Sequence, residues 1–141
     1  MTTTGLATID TAPQVFAEWL NALREELGWS ESGRTYLLLR TTLHTLRDFL
    51  TVDEAAQLAA QLPVLVRGVY YDGWDPSKTP VKPRNKSDFL ARIEGRFDKE
   101  PLENPERAVM AVFDLLERSV SEGEIAQVRH ALRKPIQELW D

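Results

Sequence analysis

Three short polar motifs, each followed by apolar residues at helical spacing, constrain the fold of this chain more than any other feature. Thr11, Thr51 and Ser121 each stand three residues before a Gln or Glu, which is the pattern of a capping box at a helix N-terminus. Apolar residues then recur three or four positions apart, the spacing of a helix with one buried face. The sequence therefore predicts an all-α fold, a compact bundle of about six to eight helices.

Caps, glycines and prolines indicate where the individual helices begin and end. Gly28 supplies a left-handed stop for the first helix. In the second helix, Leu37 and Leu38 widen the apolar face, so we expect this helix to be central. We expect helices to begin near Thr11, Ser30 or Ser32, Thr51, Pro63, Ser87, Asn104 and Ser121, with a short helix or turn after Pro135.

The chain divides into two similar halves, about 11–75 and 87–141, joined by a linker over 76–86. At an offset of about 70 positions, similar residues recur in the two halves, including Thr51 and Ser121, Glu54 and Glu124, Ala56 and Ala126, Gln57 and Gln127, Leu58 and Val128, and Leu62 and Leu132. We interpret 11–141 as one helical domain built from two pseudo-repeated halves. Residues 1–10 are small, polar and unpatterned, which predicts a flexible N-terminus.

Composition favours a soluble protein of the cytoplasm. The 141 residues carry a net charge of −5 and include no cysteine, which removes disulfides and thiolate chemistry. The N-terminus lacks the basic start and apolar run of a secretory signal. No window approaches the roughly 20 apolar residues that span a bilayer, so we expect no membrane association.

The linker is a basic, proline-rich segment. Lys78, Lys82, Arg84 and Lys86 occur within 76–86 without an acidic residue, so the rest of the chain carries −9. These cations could contact nucleic-acid phosphates, with Trp74 stacked on a base. Because the remaining −9 would repel a polyanion, we favour a solubilising linker or a docking patch for an acidic protein surface.

The residues that usually carry catalysis or metal binding are sparse. His44 and His130 each lack a second histidine one turn away, so no helical metal pair exists. His44 and Asp48 lie one turn apart and could hydrogen-bond, as helical neighbours commonly do. No phosphate loop, nucleophile elbow or thiol is present. We therefore expect no catalytic residue, metal site or cofactor.

An aromatic turn is the better candidate for a binding surface. Tyr70, Tyr71 and Trp74 lie within five residues, with Arg67 one turn before them. Such a group suits a groove for a planar ligand or a partner's side chain. The alternative is that Tyr70 and Trp74 pack the core, Gly68 permits close helix approach, Gly73 turns the chain, and Tyr71 is the exposed member.

A series of short motifs runs from the second helix into this turn. The series is Leu43-His44, Leu46-Arg47-Asp48, Glu54-Ala55, Ala60-Gln61-Leu62-Pro63, Arg67-Gly68, Tyr70-Tyr71 and Gly73-Trp74, followed by Phe89-Leu90. It resembles an uncharacterised bacterial family, the domain of unknown function 2267. The resemblance implies a small helical domain of a bacterial protein and brings no established activity, cofactor or catalytic residue.

Two functional hypotheses follow from the sequence. The first is a non-enzymatic helical module that binds another protein, or a second copy of itself, through an aromatic-basic surface of Arg67, Tyr71, Trp74, Lys78, Lys82 and Arg84. The second is a small-ligand carrier or enzyme with a pocket between the helical halves, lined by Tyr36, His44, Arg67 and Tyr71.

Overall fold

A computed structural model describes residues 3–141, which form nine α-helices and no strand. The prediction of a compact all-α bundle is confirmed, and the seven helices longer than one turn match its expected size. Within the described part of the chain, every helix is too short or too polar to cross a bilayer. The helices are α1 (Ala7–Asp10), α2 (Ala12–Leu27), α3 (Ser32–Asp48), α4 (Val52–Ala59), α5 (Val64–Tyr71), α6 (Lys86–Glu94), α7 (Pro105–Ser119), α8 (Glu122–Ala131) and α9 (Lys134–Gln137), with 3-10 turns at Pro76–Lys78, Gly95–Phe97 and Glu138–Trp140.

Several helix ends form as their local sequence predicts. The Thr51 N–H donates to Glu54 Oε1 at 2.8 Å, and the Glu54 N–H donates to Thr51 Oγ1 at 3.3 Å, which completes a capping box. Gly28 ends α2 with φ of 71°. Pro63 stands at the N-cap of α5, where its missing N–H costs no helical hydrogen bond.

Two predicted caps are wrong. The Thr11 hydroxyl caps no N–H of α2; it donates to the Ala7 carbonyl at 2.6 Å, because α1 ends directly before α2. Asn85 rather than Ser87 caps α6, in a box with Asp88. Ser87 instead donates to Asn85 Oδ1 at 2.6 Å. In both places a neighbouring group one turn or less away competes for the cap.

Helix α3 lies at the centre of the bundle, as predicted. It packs against α2, α5, α6 and α7, and Leu38, Leu39, Leu43 and Leu46 are fully buried. Each such leucine contributes roughly 1.5–3 kcal/mol through burial. The buried cluster continues from α2 to Trp140 at the end of the chain, so both halves share one core.

The two halves meet where α4 packs against α8. These helices carry the aligned capping motifs, and the interpretation of the halves as a pseudo-repeat stays a prediction. Of the segment predicted to be flexible, Met1 and Thr2 lie outside the described residues. Beyond them, α1 forms, and Asp10 Oδ1 accepts the Thr4 N–H at 2.9 Å.

Candidate functional site

The C-terminal end of α5 is held by two side chains of α3. His44 Nε2 donates to the Val69 carbonyl at 2.6 Å. Arg47 Nη1 donates to the carbonyls of Tyr70 at 2.7 Å and Asp72 at 3.1 Å. The last carbonyls of a helix have no partner within the helix, so these bonds anchor α5 on the centre of the bundle.

Arg47 is one of the few charged side chains in the core, with 4 % of its surface exposed. Its Nε donates to Asp48 Oδ1 at 2.8 Å, which balances the buried charge. A second ion pair, Arg40 with Asp72 at 2.8 Å, lies nearer the surface. Charged side chains of α3 therefore lie at the C-terminal end of α5, whose Val66 and Tyr70 are buried in the apolar core.

Arg67 has an architectural position. Its Nε donates to the carbonyl of Ala59 at 2.8 Å, and its Nη2 donates to those of Ala60 at 3.3 Å and Leu62 at 2.9 Å. These carbonyls belong to the C-terminal end of α4 and the turn after it, so the Arg67 side chain closes this helix end. The structure therefore places the Arg67 guanidinium on backbone oxygens, and the aromatic side chains expected beside it have other neighbours.

The three aromatic residues of the turn differ in exposure. Tyr70 is fully buried, and its hydroxyl donates to the Ala55 carbonyl at 2.9 Å. Tyr71 and Trp74 are half-buried. The Tyr71 ring stacks on Trp74, with centroids 5.3 Å apart and planes inclined by 29°, and its other neighbour is the edge of Tyr70 at 5.4 Å. Tyr70 thus belongs to the core, whereas Tyr71 and Trp74 form a partly exposed pair on top of it.

The two glycines of this segment have different roles. Gly73 adopts φ of 72° and turns the chain after α5, as predicted. The interpretation of Gly68 as a close-packing position is wrong. Gly68 is exposed, and a Cβ added there would meet no atom within 4 Å.

The middle of the basic loop is hydrogen-bonded to the C-terminal end of α3. The Thr79 hydroxyl lies 3.0 Å from the Asp48 carbonyl and 2.9 Å from that of Leu50. The Val81 N–H donates to the same Asp48 carbonyl at 2.9 Å. Lys78 lies before this anchor, and the other cations of the loop follow it. The loop is therefore an ordered element that caps a third helix end.

The basic side chains of the loop are dispersed around this anchor. Lys78 is 82 % exposed, 3.9 Å from Asp75 beside the aromatic pair. Lys82 is exposed and forms no ion pair with residues 3–141. Arg84 is half-buried and lines a separate groove with Phe49. Lys78 is therefore linked to the aromatic pair only through Asp75, the residue after Trp74, and Lys82 follows four positions later in the loop.

The environment of His44 is unlike that of an acid–base pair. Burial is the main cause that lowers its pKa, and the charges of Arg47 and Arg40 lower it further. Asp48, which is one turn away and could have accepted a hydrogen bond from His44, is paired with Arg47 instead. His44 consequently acts as a neutral donor to the backbone, and the interpretation of a His44–Asp48 hydrogen bond is wrong.

An open groove of about 610 Å³ lies between α4 and α8, and thus between the two halves. The small-ligand hypothesis also places a pocket between the halves, but it expects Tyr36, His44, Arg67 and Tyr71 to line it. None of these four residues lines the groove. This groove is lined by Glu54, Gln57, Glu124, Ala126, Gln127, Val128, His130 and Ala131.

Sequence reasoning missed three residues that organise these sites, Arg47, Thr79 and Gln61. Arg47 had a signal, because it occupies a position on the apolar face of α3 between Leu43 and Leu50. A cation on such a face is either paired or at an edge. Thr79 and Gln61 have no such local signal, because both form hydrogen bonds with residues far away in the sequence.

Within residues 3–141, no group of three or more histidine, aspartate or glutamate side chains is placed to hold a metal ion. The fold and the polar contacts define a small all-α domain whose helix ends are closed by side chains from neighbouring elements. The chain belongs to the DUF2267 family, described as uncharacterized conserved proteins, whose model matches residues 16–139. No curated protein matches the chain.

Proposed function

We propose that the protein is a non-enzymatic helical module of the bacterial cytoplasm that binds another protein through an aromatic-basic surface. This surface comprises Tyr71, Trp74 and Lys78, with Lys82 on the adjoining loop. The observation that best supports it is the stack of Tyr71 on Trp74, in which two half-buried rings lie 5.3 Å apart.

The stacked rings suit an interface because their positions are already fixed. Tyr70 below them is buried and hydrogen-bonded to α4, so binding would immobilise few additional side-chain torsions. Tyrosine and tryptophan are enriched among residues that dominate binding energy. The exposed lysines that follow them in the chain favour a partner that carries acidic residues next to an apolar anchor, and charge complementarity of this kind raises association rates.

Affinity capture followed by titration of the purified partner tests the proposal. We expect Tyr71→Ala to weaken binding by at least about tenfold, as for a central interface aromatic, and Lys82→Glu to slow association. Leu65→Ala is the matched control, because Leu65 is an exposed apolar residue, at 42 %, on the same helix. Its affinity should equal that of the wild type.

A Tyr71→Ala/Trp74→Ala double variant gives the decisive comparison if circular dichroism shows it to be folded. Retention of the same partners at the same affinity by this variant would contradict the proposal. Sedimentation of the wild type alone tests the special case in which the partner is a second copy of the chain.

A further inference from the structure

The groove between α4 and α8 contains an acidic side chain without a partner. Glu124 is 8 % exposed, and its carboxylate accepts no hydrogen bond from, and forms no ion pair with, any of residues 3–141. Burial alone raises the pKa of this carboxyl group. The carboxylate is only partly desolvated, because its oxygens keep some contact with solvent. A largely buried carboxylate without a partner in the protein is unfavourable, so this residue is suited to a ligand that compensates its charge.

Gln61 replaces Glu124 as the acceptor of a capping hydrogen bond, which explains why Glu124 is unpaired. In α4, the Glu54 carboxylate accepts the Thr51 N–H. At the corresponding position of α8, the Ser121 N–H donates to Gln61 Oε1 at 2.9 Å. Since Gln61 has taken the donor that a capping box would offer, the carboxylate of Glu124 is left free beside the groove.

The remaining walls of the groove combine hydrogen-bonding groups with an apolar surface. Its volume of about 610 Å³ lies within the range of small-molecule sites. Glu54 adds a second carboxylate, so the groove disfavours anions. The amides of Gln57 and Gln127 and the ring of His130 provide further polar groups, and the apolar wall consists of Ala126, Val128 and Ala131.

We propose that this groove binds a small aliphatic amine. The ammonium group donates hydrogen bonds to the carboxylate of Glu124, and the hydrocarbon chain lies along Val128 and its alanine neighbours. An ionised carboxylate only accepts hydrogen bonds, and an ammonium group supplies both donors and the opposite charge. This site is separate from the aromatic-basic surface and does not depend on the protein-binding proposal.

Titration of the ¹⁵N-labelled protein with n-butylamine at pH 7 and low salt, followed by NMR, tests the assignment. Saturable shifts are expected for the amides of Gln57 and of residues 124–131. The uncharged analogue n-butanol should bind at least about tenfold more weakly, as should n-butylamine to Glu124→Gln, because a charge-assisted hydrogen bond is lost. Glu122→Gln removes an exposed carboxylate from the same helix and should leave the affinity unchanged.

A second variant tests whether the hydrogen bond from Ser121 to Gln61 leaves Glu124 free. Gln61→Leu releases the Ser121 N–H, so Glu124 can close the capping box and withdraw from the groove. We expect this variant to stay folded, to shift the Ser121 amide and to bind n-butylamine several-fold more weakly. Equal affinity of the wild type and Glu124→Gln would overturn the proposal, as would the absence of saturable shifts at the groove. Unchanged affinity in a folded Gln61→Leu variant would overturn the role of Gln61.

Discussion

The guanidinium of Arg47 lies 2.7 Å from the carbonyl oxygen of Tyr70, and this contact joins the centre of the bundle to the aromatic turn. Arg67 makes the equivalent type of contact at the end of α4. Both arginines belong to the series of motifs that resembles the family. In this chain, that series closes helix ends, so much of what identifies the family is architectural.

Replacement of Arg47 by methionine should strongly destabilise the protein. It removes the donor from the Tyr70 and Asp72 carbonyls and leaves Asp48 without its cation. We expect the free energy of unfolding in urea to fall by about 2–4 kcal/mol, because breaking a buried pair leaves unpaired polar groups.

Arg40→Met is the control for this loss. The Arg40–Asp72 pair has side chains that are 28 % and 61 % exposed, so solvent screening limits its contribution to less than about 1 kcal/mol. Equal losses for Arg40→Met and Arg47→Met would show that burial does not distinguish the two pairs.

Stability should depend on pH through Glu26. Partial desolvation, followed by the hydrogen bond and negative charge of Asp114, raises the pKa of Glu26 from 4.5 to about 7. The folded state therefore binds this proton more tightly than the unfolded state. The resulting stabilisation is complete below pH 4.5 and is lost as the pH rises through about 7.

Glu26→Gln removes this dependence. The free energy of unfolding in urea of the variant, relative to that of the wild type, should increase as the pH rises from 4.5 to 8. The gain should be smaller in an Asp114→Asn background, where the neighbouring charge is absent. A stability difference between wild type and variant that is constant with pH would contradict this account.

His44 should contribute a dependence of the opposite sign. Burial lowers the pKa of His44 from 6.5, so its contribution to stability is complete above pH 6.5 and is lost as the pH falls through the folded-state pKa. His44→Gln keeps a donor for the Val69 carbonyl without titrating.

The comparison for His44 is best made in a His130→Gln background, which leaves no other histidine in the chain. Unfolding measured from pH 8 to 5 should show the protein with His44 losing stability relative to His44→Gln. A parallel decline of the two proteins would contradict the assigned direction of the pKa shift.

The helices could be predicted from sequence because their signals are local. The box of Thr51 with Glu54 and the stop at Gly28 depend on residues within one turn. The local sequence does not decide the cap of α6, because Ser87 and Asn85 are both good N-cap residues. Only the fold shows that Asn85 takes that position.

The candidate sites were less predictable because they depend on contacts between distant residues. The sequence places Arg67 near aromatic residues, but the path of the chain after Ala59 brings three carbonyls within its reach. Similarly, a bond from Ser121 to Gln61 spans 60 positions and frees Glu124. No local pattern contains that information.

Unfolding of Arg67→Met in urea at pH 7, compared with Arg84→Met, tests the architectural account most directly. Arg67 donates to three carbonyls of α4 and its following turn, whereas the Arg84 side chain has no hydrogen bond or ion pair within residues 3–141. We predict a loss of about 1–3 kcal/mol for Arg67→Met and less than about 0.5 kcal/mol for Arg84→Met. Equal stability of the two variants, with Arg67→Met unfolding like the wild type, would contradict the claim that Arg67 closes a helix end.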